Sequence, residues 1–307
     1  MPDLFGDRLI DAIASRQAPI CVGIDPIFDQ FPSELTEDID PGDTDAVLDS
    51  IFEFTTRVLE TVAPLVPVVK FQSAYFEKYL WEGVEAYYSL IAEAKAMGLL
   101  VIGDIKRGDI GTTAAAYAEG HLDDVATDDI EDAATPDAIT VNPMMGADTL
   151  EPFVKVARAT DKGLFVLVRT SNPGSGEFQD VKLEDGRTWS EMLAERVNQI
   201  AEGLVGSSGY SSIGTVVGAT QTATMESLRR RLPKSIFLLP GYGAQGATAE
   251  MTRSAFQNKT GAVVSASRSI LYAHKDKKYA AHFGDDWEAA VKQAVLDMKA
   301  DLDKVLS

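Results

Sequence analysis

One cysteine, Cys21, stands among 307 residues, so no disulfide within the chain and no cysteine-based zinc site can form. It lies in the apolar run Ile20-Cys21-Val22, which points to a buried structural thiol. There are three histidines, His121, His274 and His282, and none ends an apolar run. That speaks against an isomerase barrel, whose chemistry calls for a histidine and a glutamate at strand ends. Basic residues are scarce as well: 28 Lys and Arg face 47 Asp and Glu, a formal net charge of −19. A surface of that sign repels nucleic-acid phosphates and anionic lipid headgroups, which excludes both as expected partners. An anionic ligand must then be caught by a locally positive or backbone-lined pocket, not steered in by the overall field. No apolar run approaches the length of a membrane span, and residues 1–10 are charged and amphipathic without a signal peptide's apolar core. A cytoplasmic chain is expected.

What is present is a rhythm. Short apolar runs rich in β-branched residues fall at 19–25, 66–72, 99–106, 137–142, 163–169, 213–218, 236–240 and 261–266. Amphipathic stretches with helical spacing lie between and after them, at 46–62, 74–96, 150–159, 190–204, 219–231 and 287–306. Nearly continuous apolar composition suits parallel strands covered on both faces. Eight such βα units predict an α/β chain folded as a (β/α)8 TIM barrel, one domain over residues 1–307. An open doubly wound sheet is the lesser alternative, because Gly23-Ile24-Asp25-Pro26 after the first run is not a dinucleotide-binding glycine fingerprint. Two insertions are expected, an acidic one at about 120–136 and a Gly/Ser/Asp-rich one at about 170–188.

In such a barrel the active site gathers at the C-terminal strand ends. The runs there finish in Asp25, in Lys70, in Asp104-Ile105-Lys106-Arg107-Gly108-Asp109, in Arg169-Thr170-Ser171-Asn172, and in Pro240 before Gly241-Tyr242-Gly243-Ala244-Gln245-Gly246. Alternation along an extended strand turns Asp104 and Lys106 into the barrel mouth and Ile105 toward the helices. Alone, that pair is an ordinary ion pair at a strand end. Asp109 follows just beyond, where Gly108 and Gly111 let the chain turn into a helix over 112–119. After the seventh run, glycines expose backbone N–H groups, and a helix expected to begin near Gly246 adds its positive end, which suits a phosphate. Arg268, in Ser265-Ala266-Ser267-Arg268, supplies a charged partner for the same anion.

The stretch Asp104-Ile105-Lys106-Arg107-Gly108-Asp109-Ile110-Gly111 resembles the Asp-x-Lys-x-x-Asp signature of the orotidine monophosphate decarboxylase family. Gly23-Ile24-Asp25-Pro26, Val69-Lys70-Phe71, Pro240 to Gly246 and Ser267-Arg268-Ser269-Ile270 match in the same order, and Arg169-Thr170-Ser171-Asn172-Pro173-Gly174 resembles the longer bacterial and archaeal subfamily. The resemblance implies conversion of orotidine 5′-monophosphate to uridine 5′-monophosphate and carbon dioxide, the last step of uridylate synthesis, without metal or other cofactor. It implies that Lys70, Asp104, Lys106 and Asp109 form an alternating charged array. A homodimer follows, in which Asp109, Ile110 and Thr113 reach across into the partner's site. Asp25 and Lys70 then meet the ribose, Ser171 the pyrimidine, and Gln245 and Arg268 the phosphate, with Pro240 and Gly246 also lining the substrate. The insertions leave Thr170 and Asn172 open as alternatives to Ser171.

Two other readings compete. One is a metal-dependent sugar-phosphate lyase or decarboxylase of the related barrels, such as a hexulose-phosphate synthase or a keto-gulonate-phosphate decarboxylase. Those resemble one another in a metal-binding carboxylate near the end of strand two, where this chain has Lys70. The other is a catalytically silent nucleotide-phosphate-binding barrel, which needs the 241–246 loop and Arg268 but not the charged array.

Overall fold

The computed structural model describes residues 4–126, 130 and 132–307. Among them eight strands run in parallel and close in sequence order into a barrel: β1 Ile20–Ile24, β2 Val68–Gln72, β3 Leu100–Arg107, β4 Ala138–Val141, β5 Gly163–Arg169, β6 Ser211–Val217, β7 Ser235–Pro240 and β8 Ala262–Ala266, with β8 pairing back to β1. Each strand falls within or close to a predicted run. Alternation sorts their side chains into two layers. Cys21, Val68, Ile102, Ala138, Phe165, Ile236 and Val263 fill the barrel, whereas Val22, Val69, Val101, Ile139 and Val166 pack outward under the helices.

The floor of the barrel is closed by a helix that the sequence pattern left unassigned, Phe5–Arg16. Its buried Phe5, Leu9 and Ile13 recur every four residues and so share one face. Phe5 meets Phe165 edge to face at 6.0 Å, and it sits so close to Gly163 that a Cβ there would lie 2.1 Å from its ring.

Several predicted helices differ in extent. The stretch 74–96 is two helices, Ala74–Glu77 and Leu80–Ala96, parted where Leu80 takes φ +58° and Gly83 packs against the Phe76 carbonyl so closely that any side chain would collide. The stretch 190–204 starts at Trp189 on a Thr188–Glu191 capping box and ends at Ala201. The stretch 219–231 is helical only from Thr222. The insertion after β5 is built rather than loose. It holds a short helix, Gly176–Gln179, and the buried Arg169 pins it through a two-point pairing with Asp180 at 2.9 and 2.7 Å. The acidic insertion lies partly outside the described residues. No helix among the described residues is long and apolar enough to cross a membrane.

Candidate active site

A cavity of about 390 Å³ opens at the C-terminal end of the barrel. Leu167, Val216 and Leu238 contribute apolar wall, and the polar lining comes from nearly every strand end. Its charged centre is Asp104, 7% exposed, whose carboxylate accepts four hydrogen bonds. Oδ1 receives Lys106 Nζ at 2.6 Å and the Thr140 hydroxyl at 2.9 Å; Oδ2 receives Lys70 Nζ at 2.9 Å and Gln72 Nε2 at 3.0 Å. All the usual acceptor positions are taken, so the group cannot rotate without losing bonds. Burial alone opposes its ionisation, but Lys70 and then Lys106 overcome that and hold the carboxyl well below the usual range. Burial likewise opposes the Lys70 ammonium, and Asp104, then Asp25, overcome it, so Lys70 stays charged to higher pH than an ordinary lysine. Asp25 Oδ1 is buried with no hydrogen-bond partner among the described residues. It is an acceptor waiting for a donor.

Lys106 reaches this centre from an irregular backbone. The register of β3 and β4 shifts between Gly103 and Arg107, and Lys106 takes φ +47°. Its side chain is 45% exposed, at the lip of the cavity, in keeping with the barrel-mouth position that alternation gave it.

Across the cavity, the chain after β7 turns through Gly241, Gly243 and Gly246, at φ +113°, +70° and +84°, a path that residues with a Cβ rarely follow. The helix expected near Gly246 begins three residues later, at Ala249. It is a single turn, Ala249–Thr252, and a Tyr242–Ala247 bridge closes the loop on itself ahead of it. Gln245, the glycine-rich turn and Arg268, the first residue of a one-turn helix Arg268–Leu271, line this end of the cavity.

The family of residues 19–283 is described as orotidine 5′-phosphate decarboxylase / HUMPS. An orotidine 5′-phosphate decarboxylase of Rhodopirellula baltica is 39% identical over 300 residues, 97% of this chain and 98% of that one. Of solved structures, a Streptomyces avermitilis protein described as an orotidine 5′-phosphate decarboxylase superposes with TM-score 0.78 at 33% identity, covering 99% of this chain and 96% of that one. Leishmania donovani OMP decarboxylase does so with TM-score 0.71 at 28% identity, covering 98% and 99%. The chain belongs to the orotidine 5′-phosphate decarboxylase family.

Of the residues singled out in the sequence, Asp25, Lys70, Asp104, Lys106, Ser171, Pro240, Gln245 and Arg268 line one cavity, as do Thr170 and Asn172. Asp109, Ile110, Thr113 and Gly246 do not. The Asp109 carboxylate accepts from the Ile110 amide at 2.7 Å; Ile110 is 62% exposed and Thr113 is exposed. Within this single chain the charged cluster is thus Lys70, Asp104 and Lys106. Gln72 and Thr140 were missed. Gln72 shares the face of Lys70 two residues earlier and was legible by alternation, and Thr140 is the one hydroxyl in the β4 run.

Proposed function

We propose that this cavity takes orotidine 5′-monophosphate and exchanges its C6 carboxylate for a proton, releasing uridine 5′-monophosphate and carbon dioxide. The bond from C6 to the carboxyl carbon breaks and its electron pair stays on C6, in the ring plane, where the π system cannot spread it. Stabilisation must come from the protein. The Lys106 ammonium, held 2.6 Å from Asp104, supplies the opposite charge and then gives C6 its proton, and the neutral amine regains one from solvent. In this reading Asp104 is also a close neighbour of the departing carboxylate, and repulsion relieved on its loss is a secondary contribution. Asp25 and Lys70 receive the ribose hydroxyls, and the orphaned Asp25 oxygen is the acceptor they need. Arg268 and Gln245 hold the phosphate, and one of Thr170, Ser171 and Asn172 meets the pyrimidine.

The observation that carries this reading is the Lys70–Asp104–Lys106 array inside a cavity that also holds Arg268 and the glycine turn. A silent phosphate-binding barrel has no use for it, and a metal-dependent lyase calls for a carboxylate where Lys70 stands. The test is optical. Orotate absorbance should fall with substrate, at an undiminished rate in excess chelator; loss of the rate on chelation would favour the metal-dependent reading.

We further read residues 1–307 as one barrel domain with two insertions, in a cytoplasmic homodimer. Ile110, Tyr117, Met144 and Met145 are exposed on segments following β3 and β4, with Leu80 and Trp81 after β2, an apolar surface suited to a second copy. Pairing there is the arrangement in which Asp109, Ile110 and Thr113 leave their own cavity for the partner's.

A further inference from the structure

The irregularity in β3 sets three residues against one. Gly103 stands opposite Ile139 and Arg107 opposite Val141, so Asp104, Ile105 and Lys106 together face only Thr140. Such a bulge disrupts the ladder locally and re-aims a side chain. Here the disrupted place is filled by a side chain: the Lys106 amide donates to the Thr140 hydroxyl oxygen at 3.0 Å, and that hydroxyl donates to Asp104 Oδ1 at 2.9 Å. The same Oδ1 accepts the Lys106 ammonium.

We propose that Thr140 is a positioning residue for the decarboxylation, its hydroxyl tying the backbone of Lys106 to the carboxylate that holds the Lys106 ammonium. The inference rests on the array being the reacting centre. A hydroxyl has one proton, and with the Lys106 N–H on its oxygen, that proton is free for Asp104. The four groups close a ring from the Lys106 amide through Thr140 and Asp104 to the Lys106 Nζ. Thr140 is 1% exposed, so water is a poor substitute. The ring also accounts for φ +47° at Lys106, a left-handed conformation that a residue with a Cβ adopts only when its surroundings impose it. On the far side of the bulge Arg107 donates to the Ile105 carbonyl at 2.9 Å and to Glu77 at 2.5 Å, so Thr140 sets the inner face of a segment already braced outside. Ribose and phosphate are held by other strands, so the hydroxyl bears on the reacting atoms and not on affinity.

Thr140→Val keeps the shape and removes both hydrogen bonds. It should lower kcat about 10- to 100-fold while KM moves less than about threefold. Thr140→Ser, which restores the hydroxyl, should recover most of the loss. In an Asp104→Asn background the valine change should cost less than about threefold, since its partner is already altered. If the valine chain does not fold, as judged by thermal unfolding, Thr140→Ala is measured in its place with the same expectation. Unchanged kcat, a raised KM at unchanged kcat, or no recovery in serine would overturn the proposal. A parallel Lys106→Ala chain separates the two ideas. If that chain is dead while the valine chain turns over normally, only the Thr140 role falls; if it remains active, the array reading falls with it.

Discussion

Asp104 carries its charge in a place that penalises charge, and it does so because four donors converge on two oxygens. With its pKa depressed, its contribution to stability is complete above the ordinary carboxylate range and is lost as pH falls below it. His121 bends the same curve at higher pH. Burial, then the Arg107 charge, push it from 6.5 down to about 4, while its Nδ1 lies 3.1 Å from the Tyr88 hydroxyl. The unfolded chain therefore gains a proton near 6.5 that the folded chain refuses until about 4. Stability should decline as pH drops through that window, and His121→Gln should flatten the decline in denaturant titrations; an unaltered profile would count against the assignment. At the other end of the cavity, Arg268→Ala should raise KM by about 100-fold or more, the cost of one charge-assisted contact, with a smaller effect on kcat at saturation. An unchanged KM would remove Arg268 from the phosphate site. Residue identities were legible because charged side chains ending apolar runs have few structural uses. What alternation did not disclose was the bulge: it places Asp104 and Lys106 on one face as an ideal strand would, yet reaches that result through a left-handed Lys106 and a hydroxyl from the next strand.

Among the elements, the strands were the most legible, since parallel strands buried on both faces announce themselves as apolar runs. Helix ends were less so, because they depend on local closures such as the Thr188–Glu191 box and the turn at Leu80. The helix expected near Gly246 starts only at Ala249, because the glycine-rich segment first satisfies its own backbone through the Tyr242–Ala247 bridge. The Phe5–Arg16 helix was overlooked because it precedes the first strand and lies outside the βα rhythm, although its apolar spacing is plain. Its Phe5 is 1% exposed beneath the barrel, so Phe5→Ala should cost about 3–5 kcal/mol in chemical denaturation. Turnover of the chain that remains folded should be unaffected, because the cavity is at the opposite end. A loss of less than about 1 kcal/mol would mean that the helix does not plug the barrel.

For the whole molecule, a net charge of −19 means that the folded state works against its own repulsion. Added salt should raise the thermal midpoint, most steeply where the screening length falls below the spacing of surface charges, and a midpoint independent of salt would contradict this. The proposed dimer has a sharper test. Mixing Lys106→Ala chains with Asp109→Ala chains should produce hybrids with one intact site and so recover activity that neither parent has; no recovery, with hybrids verified, would place Asp109 outside the partner's cavity.

The account stands on the amine at position 106. Lys106→Ala should lower the rate of orotate disappearance by at least about 10⁴-fold in a chain that still binds uridine 5′-monophosphate. Lys106→Cys treated with 2-bromoethylamine, which rebuilds an amine of similar length, should regain part of that rate. A Lys106→Ala chain turning over within about tenfold of the unaltered protein would contradict the mechanism.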